Sequence, residues 1–169
     1  RSLPPEGAAG DFELTFDLQV KNAVDAASCD LWIGVGREEP ASATTTPDGV
    51  FAQLMQDFSC FASAPRLSAA AAADGSRWSS FSPDLCYGTE IVDTSEWQHV
   101  TLRRENGAVS VTNRRDTPCG SIEDVASTAY EGALDGLDTL IVGTPPALWG
   151  CQALPFAIRN VGFTSLRDV

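Results

Sequence analysis

The chain holds one histidine, His99, and any acid–base chemistry would start there. A catalytic imidazole needs a nucleophile or a carboxylate within hydrogen-bond reach. No G-x-S-x-G elbow is present to supply a serine. His99 follows Trp97 by two residues in the alternating run Trp97-Gln98-His99-Val100-Thr101-Leu102-Arg103-Arg104. Both side chains are therefore expected on one face of a strand, with His99 as a packed strand residue rather than a base. The acids Glu90, Asp93 and Glu96 stand three apart, so in a strand they alternate faces. Carboxylates on opposite faces do not flank one glycosidic bond unless a bulge resets the phase. Nothing in the sequence groups Tyr87 or Tyr130 with His99.

Trp78 and Trp149 lie in loop-like contexts and are the candidate binding residues. An exposed tryptophan stacks on a sugar ring or anchors a protein interface; the competing reading folds each back onto the core. Trp32 and Trp97 fall inside strand patterns and are expected in the core. The five cysteines, Cys29, Cys60, Cys86, Cys119 and Cys151, form no C-x-x-C pair, which argues against a zinc or thioredoxin-type site. Their wide spacing suits long-range disulfides in an oxidising, extracellular compartment. The odd count leaves one thiol over, either buried and free or linked to another chain.

Strands must position these groups. In Phe12 to Val20, apolar Phe12, Leu14, Phe16, Leu18 and Val20 alternate with polar Glu13, Thr15, Asp17 and Gln19, a period-two strand signal. Leu31 to Gly36 is a second strand. Residues 37–49 read as a loop. Val50 to Phe61 reads as one or two strands, with a helical alternative left open by Phe51, Leu54, Met55 and Phe58. Ser68 to Ser76 contains five consecutive alanines and is expected as a short helical turn or a slack surface loop. Asn106-Gly107 between two alternating runs predicts a hairpin, because both residues tolerate the positive φ of a type I′ turn. Leu140 to Gly143 and Phe156 to Phe163 complete the strands. Many short strands without a strong amphipathic helix predict an all-β, antiparallel β-sandwich. No repeat or linker divides residues 1–169, so one domain is expected.

The net charge of −12 and pI near 4.3 disfavour nucleic acid and anionic membrane surfaces as partners. No apolar run reaches the length of a membrane span, so no membrane insertion is expected.

Three segments carry a family resemblance. Trp97 to Val111 is similar to a "W-x-H-V-x-x-x-R-x-G-x-V-x-L" hairpin, Leu137 to Pro146 to an "L-x-L-Y-V-G-G-x-P" strand and turn, and Pro155 to Val161 to a closing "F-x-G-C-I-R-N-V" strand. In that order they resemble the laminin-G-like members of the concanavalin A-like lectin and glucanase jelly rolls. The match covers about the last 75 residues, and the hairpin is shared across the superfold. The resemblance implies calcium at one rim of the sandwich, with Asp48 in the position of a ligand; Asp48-Gly49 is also simply a good turn. The glycine-cysteine of the closing motif is absent, so the family's usual disulfide does not carry over. Cys119 with Cys151 is the expected pair, since they flank one strand region, and Cys60 with Cys86 the second guess; sequence alone does not fix the pairing.

The expected function is extracellular recognition without catalysis: an adhesion or matrix-type module binding a protein or glycan through rim loops at 37–49, 63–84 and 116–130. One alternative is a self-assembling unit of an extracellular polymer or coat. The other is a polysaccharide-active hydrolase or lyase, which needs a cleft lined by two carboxylates or by a base with arginine.

Overall fold

The computed structural model describes residues 10–20, 28–29, 31–37, 49–55, 66–72, 80–81, 89–90, 96–129, 137–143, 152–153 and 156–166. The strands are β1 (Asp11–Val20), β2 (Ser28–Cys29), β3 (Leu31–Gly36), β4 (Gly49–Met55), β5 (Arg66–Ala72), β6 (Ser80–Phe81), β7 (Thr89–Glu90), β8 (Gln98–Glu105), β9 (Ala108–Thr117), β10 (Gly120–Ala129), β11 (Thr139–Gly143), β12 (Gln152–Ala153) and β13 (Phe156–Leu166). No helix occurs among the described residues.

Alternation in β1 builds the first sheet. Phe12, Leu14, Phe16, Leu18 and Val20 are buried, while the polar residues between them are partly exposed on the other face. The sheet runs β10-β9-β8-β1-β13, all antiparallel. The second sheet runs β11-β3-β4-β5-β6, with β7 also paired to β5. β2 and β12 form a separate two-residue parallel ladder. The inner faces of the two large sheets share one apolar core, in which Phe16, Leu18, Val100, Leu102 and Val111 meet Ile33, Val35, Ala52, Leu54 and Leu67. The protein is therefore an all-β antiparallel sandwich, as the alternating segments predict.

The two sheets differ on their outer sides. On β3 and β4, Trp32, Phe51 and Gln53 lie in the opposite phase to the core residues yet are buried as well. The six-stranded sheet is thus closed to solvent on both faces there. The Trp32 and Phe51 rings touch at 5.7 Å between centroids, and the Phe51 ring lies over glycines. A Cβ at Gly34 would stand 2.8 Å from its Cδ1, and one at Gly49 would stand 2.7 Å from its Cζ. The five-stranded sheet keeps its outer face open.

The Asn-Gly hairpin forms as expected: Glu105 pairs with Ala108, and Asn106 and Gly107 take φ of 51° and 75°. Expectations change at the alanine segment and at two of the three expected loops. The alanine segment is neither helical nor a loop but strand β5, with Leu67, Ala69 and Ala71 in the core. Period-two burial and pairing to β4 override the helix propensity of alanine, and the small side chains let β5 pack closely across β9 and β10. Within the described residues, 50–55 of the Val50–Phe61 stretch are strand β4 rather than helix. The segment expected as a loop at 116–130 is largely β10, joined to β9 by the two-residue turn Pro118-Cys119. The loop at 63–84 likewise contains β5 and β6.

Candidate functional site

Register brings polar groups from five strands into one row on the open face. Arg159 of β13 pairs with Asp17 of β1, Asp17 with His99 of β8, His99 with Arg114 of β9, and Arg114 with Glu123 of β10. Each belongs to the outward phase of its strand, so their side chains stand together. Around this row lies an open hollow of about 620 Å³, walled also by Glu96, Trp97 and Asp116.

Asp17 is the hub. One oxygen, Oδ1, lies 3.0 Å from His99 Nδ1. The other, Oδ2, accepts from Arg159 Nε at 3.2 Å and from Asn160 Nδ2 at 2.7 Å. Two consecutive residues reach one carboxylate because β13 bulges: Thr15 faces Gly162 but Asp17 faces Arg159, so β13 carries one extra residue. Asn160 takes the left-handed conformation this needs, at φ 53°; asparagine tolerates that region better than most side chains. Burial alone would raise the Asp17 carboxyl, but the hydrogen bonds from His99, Asn160 and Arg159 outweigh it. They hold Asp17 below its ordinary carboxylate range.

Arg159 is fixed on a second side, with its guanidinium carbon 3.9 Å from the centre of the Trp97 ring. Across the hollow, Arg114 Nη2 donates to Ser121 Oγ at 3.3 Å, and Ser121 Oγ donates to Asp116 Oδ1 at 2.6 Å. Beneath the face, the inward Asn113 and Gln98 side chains share a buried hydrogen bond of 2.6 Å. It ties β9 to β8 under Trp97 and His99. The hollow thus combines three carboxylates, two guanidiniums, an imidazole and an indole.

Trp97 and His99 share a face as expected, but neither is packed in the core. Trp97 is partly exposed, and the His99 side chain is 51% exposed. Trp32, by contrast, is buried. Trp97 immediately precedes β8, the central strand of its sheet, and the outward phase carries both residues away from the core. Asp48, Trp78, Trp149, Cys60, Cys86 and Cys151 lie outside the described residues. Cys119 is an exposed, free thiol at the β9–β10 turn. Among the described residues, no three His, Cys, Asp or Glu side chains gather as a metal site.

The sequence reading missed Asp17, Arg114, Asp116 and Arg159. For Asp17 and Arg159 the available signal was phase, each a charged residue in the outward register of an apolar run; Arg114 and Asp116 follow the end of the alternation at Thr112, where every residue is polar and no phase is readable. No protein-family model matches the chain. No curated protein matches it either.

Proposed function

We propose that this protein is a glycan-recognition module, laminin-G-like within the concanavalin A-like sandwiches, and that it works outside the cell. Its binding surface is the hollow on the open sheet face rather than a set of rim loops. The observation that carries this reading is the row Arg159–Asp17–His99–Arg114 beside Trp97. Sugars are recognised by aromatic side chains together with dense, pre-positioned donors and acceptors; the hollow supplies the donors and acceptors, with the Trp97 indole, stacked by Arg159, on its wall. Trp97, His99 and Arg159 lie in the segments that suggested the family, whereas Asp17, Glu96, Arg114 and Asp116 of the same hollow lie outside them.

The test is a glycan array probed with labelled protein beside its Trp97→Ala variant. The expected outcome is retention on a defined set of saccharides, weakened about tenfold or more by loss of the ring. An array with no retained saccharide, or a variant that binds like the parent, rejects the reading.

A polysaccharide-active enzyme is the second reading. It is favoured by the Asp17–His99 contact, which sets an imidazole beside two arginines in a cleft. Release of new reducing or unsaturated ends from an array-positive polysaccharide, abolished by His99→Ala, would select it over simple binding.

A further inference from the structure

His99 touches Asp17 through Nδ1, and its Nε2 has no partner among the described residues while the ring lines the hollow. An ionised carboxylate only accepts hydrogen bonds. Asp17 already accepts from Arg159 and Asn160 through Oδ2, so it meets His99 as an acceptor. The proton of a neutral imidazole must then sit on Nδ1, leaving a lone pair on Nε2. Free histidine has no such constraint; here the second partner of the ring decides which nitrogen faces the ligand.

Arg159 complements this. Its Nε is tethered to Asp17 and its plane rests on Trp97, while its terminal nitrogens are uncommitted among the described residues. With the ring neutral, the site offers an acceptor from His99 beside fixed donors from Arg159. A ligand carboxylate or sulfate only accepts, and an ammonium only donates. A hydroxyl does both at once.

Resting on the glycan-recognition reading, we infer that Asp17 is a positioning residue that holds His99 as the Nδ1–H tautomer, so that Nε2 and Arg159 together select hydroxyls of a neutral saccharide over acidic or sulfated ones. The carboxylates of Glu96 and Asp116 on the wall act in the same sense, because they repel anionic sugars.

The experiment is long-range proton–nitrogen NMR of uniformly labelled protein at alkaline pH. His99 is the only histidine, so a single imidazole pattern is read and no ligand is needed. The expected pattern is a protonated Nδ1 and an unprotonated Nε2. In Asp17→Asn the side-chain amide can donate to Nδ1, and the pattern is expected to shift to Nε2–H. A wild-type protein showing Nε2–H overturns the inference without recourse to any variant, as does an Asp17→Asn protein that keeps Nδ1–H. On the glycan array, preference for uronate or sulfated saccharides over neutral ones overturns the selectivity. An Nδ1–H tautomer with no saccharide retained rejects glycan recognition itself and leaves the tautomer standing, so the two failures are distinguishable.

Discussion

At Asp17, three donors from two strands converge on one carboxylate whose side chain is 16% exposed. Its folded pKa lies below the ordinary value near 3.9. A group depressed in this way contributes stability that is present above its unfolded pKa and lost as pH falls through the folded value. Asp17→Asn is therefore expected to lower stability at neutral pH by about 1 kcal/mol, a modest cost because Arg159 and His99 are half exposed and can be resolvated. Thermal melts of the two proteins should converge below about pH 4. A gap that widens on acidification would contradict the assignment. None of this network was legible from local sequence. Asp17 and Arg159 are 142 positions apart, and only the strand register and the β13 bulge bring them together. What could be read was the outward phase of each residue, and the shared face of Trp97 and His99.

Among the elements, β1 and the β8–β9 hairpin were the most legible, because alternation and Asn-Gly turn chemistry are local and agree with the final fold. The alanine strand was not. Its preference is helical, and the forces that extend it are pairing to β4, β6 and β7 and burial against β9 and β10. The inner-face hydrogen bond from Asn113 to Gln98 shows the same limit: strand phase places both residues inward, but only the hairpin register makes them partners. The β3–β4 pair yields a sharp prediction. Gly34 faces Phe51 across the ladder, and an added Cβ would run into the backbone carbonyl oxygen of Val50 and come within 2.8 Å of the Phe51 Cα and Cδ1. Two of those atoms are backbone and do not swing away, so Gly34→Ala is expected to cost about 1–3 kcal/mol. Denaturant unfolding checks this; a midpoint equal to that of the parent would show that the sheet yields there without strain.

For the whole molecule, the sandwich class followed from strand count and patterning, whereas the polar row on the open face did not. The sequence directs attention to loops because loops lack pattern, yet two of the three segments taken as loops hold strands. The cysteine count is a property of the whole chain. Five thiols cannot all pair within one molecule, and Cys119 is exposed and free at a hairpin tip. Titration of native protein with an aromatic disulfide reagent is expected to label Cys119 at once, and Cys119→Ser to remove that fast phase while leaving the melting temperature unchanged. A native protein in which Cys119 resists labelling until reduced would show it bonded instead.

The pairing of β1 with β13 has a mechanical consequence. Asp11 lies opposite Leu166 and Val20 opposite Phe156, so a load drawn apart at Asp11 and Leu166 opens the ladder one rung at a time, like a zip rather than a shear clamp. β13 is the outermost strand of its sheet and peels without disturbing β8 or β9. The opening front crosses the bulge and then reaches Asp17, where Arg159 and Asn160 detach together. Tension along the chain would thus open the hollow before it reaches β8 and β9, and on the proposed reading the hold on a glycan would depend on force.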